Sequence, residues 1–340
     1  MITPPSAADA YALAHRWHPV AYSAEVAAAP YGTTLLGEPV VIWREADGTP
    51  HATRDLCIHR GTALSLGRVE GCEIVCAYHG WRYNGAGQCT RIPQMEDQDP
   101  ALIPAKARVA AYPCQERYGL LWAALAEPAQ PLPQVPELES PDWTVVQTGP
   151  FRWHTDASRQ VENFTDFGHF PWVHPGLLGD PARPQVPAHT VCTEGDVLHY
   201  EVVRPEAANS DDFPVFSNPD QRLPERRSRY ELHLPYTIVL RLGWGGRDAM
   251  VYFFASQPIK SSSSNDGECR GYCIIGRNYN PDQPASVLQD FESVIFSQDQ
   301  RIAESQRPDR VPFDLAAELH LNFDAVAVAY RRAMKAAGLG

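Results

Sequence analysis

The sequence predicts an α+β protein in two parts: an N-terminal all-β domain, then a domain whose antiparallel sheet is flanked by helices. Three observations carry this. Residues 17–125 are short apolar–polar alternations punctuated by turns. The stretch EPAQPLPQVPELESPDW that follows holds Pro128, Pro131, Pro133, Pro136 and Pro141, a density that blocks both helix and central strand. Beyond it, alternating segments between Cys192 and Tyr279 give way to stretches of helical spacing. The 340 residues suffice for two cores. The expected layout is an N-terminal domain over 1–127, an extended connector over 128–141 and a second domain over 142–340.

Within the first part, LLGEPVVIWREADGTPHATRD alternates around a turn containing Gly48, a hairpin signature, and YGLLWAAL is a compact apolar strand. After the connector, HTDASRQVENFTDFGHF has helical character. VLHYEVV, YELHLPYTIVLRL and AMVYFFAS alternate as strands of one antiparallel sheet. Polar insertions at 205–228 and 261–267 interrupt them as loops, the first long enough to cover a pocket. Two helical stretches end the chain, VLQDFESVIFSQDQRIAESQ and FDLAAELHLNFDAVAVAYRRAMKAAG, with Gly338 as the cap of the second.

Composition narrows the function. Hydrophobic content of 44% and charged content of 21% are those of an ordinary globular chain. A formal net charge of −12 argues against nucleic-acid binding, which needs a basic stripe. The N-terminal segment lacks a basic start followed by an apolar stretch, so a cytoplasmic location is expected. In that compartment the eight cysteines serve as metal ligands or buried thiols rather than disulfides. The pair Cys269 and Cys273 reads as strand packing.

Cys57, His59, Cys76 and His79 form Cys-x-His, sixteen intervening residues, then Cys-x-x-His. Two soft thiolates and two imidazoles thus sit on separate short loops, CIHRG and CAYHGW. Two chemistries accept that set. Structural zinc takes two Cys and two His. A [2Fe–2S] cluster would take Cys57 and Cys76 on one iron and His59 and His79 on the other, neutral ligands that raise the reduction potential. A Cys and a His two residues apart make a tight chelate that zinc fingers seldom use. Gly61 and Gly80, placed where a chain wrapping a metal needs unusual dihedrals, and Trp81 favour the cluster.

A second constellation, Asp166, His169 and His174, lies in ENFTDFGHFPWVHPG. Two histidines and a carboxylate form the ligand set of a ferrous facial triad, with open positions for oxygen and substrate. On a regular helix residues five apart point about 140° from each other. Pro171 cannot continue the ladder, so a break there is expected to swing both imidazoles to one side. A histidine among aromatics such as Phe170 and Trp172 is more often a core residue, and the motif alone leaves both readings open.

The segment from Cys57 to Tyr83 resembles the cluster-binding loops of Rieske proteins. Respiratory Rieske subunits carry an extra Cys in each loop and a membrane helix. This chain has Thr62 and Tyr78 at those positions, and its first forty residues hold no apolar run of the roughly eighteen needed to span a bilayer. Cluster loops and histidine constellation together resemble the terminal oxygenase component of Rieske non-haem iron oxygenases over nearly the whole length. ENFTDFGHFPWVHPGLLGDP, CQERYGLLW and FSQDQRIAESQRP resemble most the monooxygenase branch of N- and O-demethylases, methylxanthine N-demethylases among them.

That resemblance implies a Rieske [2Fe–2S] domain and a helix-grip-like catalytic domain. It implies a mononuclear Fe(II) on His169, His174 and Asp299, the last at the ligand position of the late-helix segment. Asp166 becomes a bridging carboxylate that hydrogen-bonds His169 and, across a subunit boundary, His79 of another chain in a homotrimer. Asn163, on the same helical face, is either a support of the water network or an ordinary polar-face residue. The chain has neither a P-loop nor a GxGxxG after a strand, so electrons are expected from a separate NAD(P)H reductase, with or without a ferredoxin. The expected reaction uses O2 to hydroxylate a small aromatic or heterocyclic compound, with N- or O-demethylation foremost and ring cis-dihydroxylation as the alternative. A non-catalytic Rieske electron carrier is the reading of another class, and the long second half argues against it. Phe213, Phe216, Trp244, Tyr252 and Phe253 are candidate pocket aromatics.

Overall fold

The computed structural model describes residues 12–95, 99–205, 225–247, 249–260 and 266–339, and strands and helices are counted among these described residues. Contacts divide the chain into two compact units, Leu13–Leu132 and Pro133–Gly340. The division falls inside the proline-rich stretch.

After a helical turn that ends at Ala14, the described part of the first unit is all β apart from short 3-10 turns. Its strands are β1 (His18–Tyr22), β2 (Tyr31–Leu35), β3 (Glu38–Arg44), β4 (Pro50–Arg54), β5 (Arg68–Glu70), β6 (Glu73–Val75), β7 (Arg82–Asn84), β8 (Cys89–Arg91), β9 (Ala111–Tyr112), β10 (Cys114–Arg117) and β11 (Leu120–Ala123). They form three sheets in the orders β1-β11-β10, β2-β3-β4-β9 and β5-β6-β7-β8. The β3–β4 hairpin turns at Gly48, whose φ of +91° favours glycine. Strand β3 is apolar on both faces because it serves two cores. Val40 and Ile42 enter one with Val20, Leu35 and Leu121, while Val41 and Trp43 enter the other with Ile74, Tyr83, Cys57 and Cys76.

The second unit is built on a seven-stranded antiparallel sheet. Its strands are β12 (Thr144–Trp153), β13 (Val191–Glu194), β14 (Val197–Pro205), β15 (Glu225–His233), β16 (Thr237–Gly243), β17 (Ala249–Lys260) and β18 (Glu268–Arg277), in the order β12-β18-β17-β16-β15-β14-β13. Helices α1 (Ala157–Thr165) and α3 (Ala285–Ala303) pack on it, α1 against β17 and β18 and α3 against β12. Phe151 stacks on Phe296 at 4.1 Å and Phe164 on Phe254 at 4.7 Å, tying both helices to the sheet. This is the expected helix-grip arrangement in a mixed α+β chain. No helix among the described residues is long and apolar enough to cross a membrane.

Several boundaries differ from the sequence expectation. β12 was missed because Gly149–Pro150 interrupts its alternation, and the register shifts between Thr148 and Phe151. YELHLPYTIVLRL is two strands with a turn at Leu234–Tyr236, since proline cannot donate to a ladder. Residues 225–228, expected in a loop, begin β15; residues 206–224 and 261–265 of the two insertions lie outside the described residues. The last helical stretch is α-helical only over α4 (Ala325–Ala336), preceded by 3-10 turns at Leu315–Ala317 and Asn322–Asp324. Gly338 caps α4 with φ +66°, and Leu339 N–H donates to Met334 O at 2.9 Å while Gly338 N–H donates to Lys335 O at 3.1 Å.

Candidate functional site

The two loops of the first unit repeat one backbone design. Cys57 N–H donates to Thr62 O at 2.9 Å and Gly61 N–H to Cys57 O at 2.8 Å; Cys76 N–H donates to Trp81 O at 2.9 Å and Gly80 N–H to Cys76 O at 3.0 Å. Gly61 and Gly80 close these turns at φ +70° and +73°. The design presents a Cys and a His from each loop to a common space. His59 and His79 rings lie 4.5 Å apart, and His59 stacks flat on Trp81 at 4.6 Å. Both thiols are free and buried, and Tyr83 OH lies 3.1 Å from Cys57 Sγ.

These residues suit a [2Fe–2S] cluster. His59 Nδ1 is buried and has no hydrogen-bond partner, which leaves its lone pair for a metal. The His59 imidazole is held below its ordinary value, by burial first and then by His79 and Arg60, so it stays neutral. Burial pushes the Cys57 thiol up, and a bound metal is what would hold it as thiolate.

In the second unit, α1 ends at Thr165, capped by Asp166 in an extended conformation. The chain turns through Gly168 into a one-turn helix, α2 (Phe170–Val173). His169 is its N-cap and His174 its C-cap, and Pro171 sits in its first turn, where its missing N–H costs nothing. The break therefore lies before His169 and at His174, rather than at Pro171. Leaving the helix at both ends is what lets two residues five apart face one point.

Asp299 reaches that point from the buried face of α3, the face of Leu288, Phe291, Glu292, Ile295 and Phe296. Its Oδ1 lies 2.9 Å from His174 Nε2 and 3.3 Å from His169 Nε2, and it accepts from Asn163 Nδ2 at 3.3 Å. The far ring nitrogens are held from behind, His169 Nδ1 by Asp166 Oδ2 at 3.0 Å and His174 Nδ1 by Gln298 Oε1 at 2.7 Å. The donor atoms of His169, His174 and Asp299 lie within 4.8 Å of one another, and His169 Nε2 is buried without a hydrogen bond. Burial pulls the His169 imidazole down, but Asp166 and Asp299 outweigh it and lift it to about 9. Burial likewise pushes Asp299 up, and the two histidines reverse it. The arrangement calls for a cation at the shared point, and two imidazoles with a carboxylate suit ferrous iron.

A cavity opens onto this triad, walled largely by apolar side chains including Phe164, Leu240, Leu242 and Ile295. Glu292 also faces it, is 3% exposed, and accepts from Tyr252 OH at 2.9 Å. Burial, with Asp299 adding to it, pushes Glu292 up to about 8 despite that bond. Of the candidate aromatics, Tyr252 lines the cavity, Trp244 and Phe253 are buried away from its wall, and Phe213 and Phe216 lie outside the described residues.

The structure thus gathers Cys57, His59, Cys76 and His79 at one place and Asp166, His169, His174 and Asp299 at another. Asn163 proves to be a hydrogen-bond donor to Asp299. Sequence reasoning missed Gln298, Glu292 and Tyr83. Gln298 carried a signal in being next to Asp299, and Glu292 in being a carboxylate on the apolar stripe of α3, seven residues before it.

Comparison with known proteins identifies both domains. Residues 16–113 match the Rieske [2Fe-2S] domain, and residues 153–339 match the vanillate O-demethylase oxygenase C-terminal domain. Methylxanthine N1-demethylase NdmA of Pseudomonas putida is 31% identical over 329 residues, covering 94% of this chain and 88% of that one. Methylxanthine N3-demethylase NdmB of the same organism is 30% identical over 335 residues, with the same coverage. The solved structure of Pseudomonas putida CBB5 NdmA with caffeine superposes with a TM-score of 0.84 at 30% identity, covering 96% of this chain and 91% of that one. A chain with both domains and such relatives carries a Rieske cluster and a mononuclear iron, and it belongs to the Rieske non-haem iron oxygenases of the monooxygenase and demethylase kind.

Proposed function

We propose that this chain is the terminal oxygenase of a multicomponent system that removes a methyl group from nitrogen or oxygen of a small aromatic or heterocyclic compound. The observation that carries the reading is the convergence of His169, His174 and Asp299 on the wall of a mostly apolar cavity. Cys57, His59, Cys76 and His79 would hold the cluster, and the triad the iron. The matched demethylases are named for methylxanthines, and an N-methyl or O-methyl group on a flat ring is the class carried over here.

When bound, the iron supplies oxygen activation and the cluster supplies electrons singly. The protein's part is positional. Asp166 and Gln298 fix the two imidazoles so that each Nε2 faces the metal. Asn163 holds Asp299 Oδ1 in register. The apolar wall keeps water from the reacting carbon. Hydroxylation of the methyl group gives a hemiaminal or hemiacetal that releases formaldehyde; O2, NAD(P)H and a proton are consumed, and one oxygen atom leaves as water. The sequence offers no nucleotide-binding motif, and in this reading a separate NAD(P)H reductase, with or without a ferredoxin, supplies the electrons to a chain placed in the cytoplasm.

Electron transfer in this reading passes between copies of the chain in a homotrimer, from His79 of one to Asp166 of the next. Two features support it. The Asp166 side chain is 42% exposed while bound to His169. The groove beside it is lined by Leu319 and Phe323, exposed by 86% and 47%, an apolar surface that a second copy could cover.

The test is a reconstituted assay with an NAD(P)H-dependent reductase over methylated heterocycles and methoxyarenes. One formaldehyde per NAD(P)H and O2 is expected. A cis-diol instead would replace demethylation with ring dioxygenation, and reversible one-electron chemistry with no oxygenated product would leave only an electron carrier.

A further inference from the structure

We infer that Arg159, Glu162, Arg331 and Glu318 form a positioning ring for the iron site, one that sets where α1 holds Asp166 and Asn163. This rests on the oxygenase reading above and extends it to residues outside the ligand set. Glu162 accepts from Arg331 through both oxygens, from Nε to Oε1 at 2.7 Å and from Nη2 to Oε2 at 2.8 Å. Arg331 Nη2 also donates to Glu318 Oε2 at 2.6 Å, and Arg159 Nη2 donates to Glu318 Oε1 at 2.6 Å. Arg159 Nη1 closes the ring on Glu162 Oε2 at 3.1 Å. Cation and anion alternate all the way round.

The cationic corners are buried. The Arg159 and Arg331 side chains are 3% and 2% exposed, and Glu318, at 30%, is the most exposed corner. Burial pushes the Glu318 carboxyl up, and the two guanidinium groups reverse it. Taking charges out of water costs about what their attraction returns, so such a ring adds little net stability. What it adds is geometry, because a planar guanidinium fork accepts a carboxylate in a fixed orientation.

That geometry reaches the metal ligands along α1. Residues 159, 162, 163 and 166 are spaced i, i+3, i+4 and i+7, and at 3.6 residues per turn they fall within an arc of about 100°. All four line the groove beside His169. Two belong to the ring. The other two are the buttresses, Asn163 on Asp299 at 3.3 Å and Asp166 on His169 at 3.0 Å. The Asn163 bond stands at the long end of N–H···O contacts, so a small displacement of α1 would lose it. The ring also grips the chain that leaves α3, where Arg159 Nη2 donates to Pro308 O at 3.0 Å and Glu318 follows a 3-10 turn. Helix α1 is thereby tied to the segment that follows the Asp299 helix.

The test removes one cation–anion pair and leaves the other. In E162M/R331M the Arg159–Glu318 pair stays intact, so a folded protein with a thermal midpoint close to the parent's is expected. Ferrous iron, titrated into iron-stripped protein that keeps its cluster, should bind about tenfold more weakly to this variant, the lower end of the effect of residues behind metal ligands. The EPR signal of the site's nitric oxide adduct should shift, while the visible spectrum of the cluster stays the parent's. R331K, which keeps the charge without the fork, should fall between the parent and the double variant. If the double variant fails to fold, E318Q, altered at the most exposed corner, decides by the same two readouts, with smaller shifts expected. Iron affinity and nitric oxide signal equal to the parent's in the folded variant overturn the ring alone. A parent that binds no ferrous iron overturns the ring and the oxygenase reading together.

Discussion

The two metal sites are built by opposite strategies. In the first unit all four ligand candidates fall between Cys57 and His79, on two loops that repeat the same backbone hydrogen bonds and the same positive-φ glycine. In the second, His174 and Asp299 are 125 residues apart and meet only because the sheet and α3 are in place. The local site needs little beyond its own turns. The distributed site needs Asp166, Gln298 and Asn163 behind its three ligand candidates to hold two distant pieces of chain to one point. Short sequence separation brings geometry at small entropic cost, whereas long separation must be offset by polar buttressing.

If the sites are independent, breaking one should spare the other. Asp299→Ala should reduce product formation to background while the cluster's visible and EPR spectra persist. Cys57→Ser should bleach the cluster yet leave one iron per chain. Loss of the cluster in the Asp299 variant would join the two regions and end the comparison.

A smaller effect is expected from a buttress. Asp166→Asn should keep iron content and cluster, while slowing turnover roughly 10–100-fold. Turnover near that of the parent would remove Asp166 from the working site.

Glu292 offers a test by pH. Its folded value of about 8 stands above its ordinary 4.5, so the folded state holds the proton more tightly. That contribution is complete below about pH 4.5 and is lost as pH rises through about 8. Glu292→Gln should flatten the decline of the thermal midpoint between pH 5 and 8, and an unchanged slope would assign the decline to other groups.

The smallest change concerns Tyr83. Removing its hydroxyl from Cys57 Sγ with Tyr83→Phe should lower the cluster's potential by about 40 mV, the one-electron equivalent of a hydrogen bond of about 1 kcal/mol. Protein-film voltammetry measures it directly.

Legibility in the sequence follows the same division. The cluster loops could be read because their chemistry is contiguous: residue types, spacing and glycines lie in one short segment. The sheet was legible from its period. Asp299 was recognisable only through family resemblance, since nothing in SQDQR tells a ligand from a solvated helix face. The dihedrals around Pro171 were misplaced because proline is tolerated in a helix's first turn, and spacing cannot tell that turn from a break. β12 hid behind a bulge, Glu292 became visible only when helix and sheet brought it to the cavity, and Gln298 only when it met His174.

Cys57 and Cys76 are themselves core residues, packed with Val41, Trp43 and Ile74. Loading of the cluster therefore reaches past the two loops: the inorganic core, once seated, braces the same interior that Val41 and Trp43 complete, so an emptied first unit should melt at a lower temperature than a filled one.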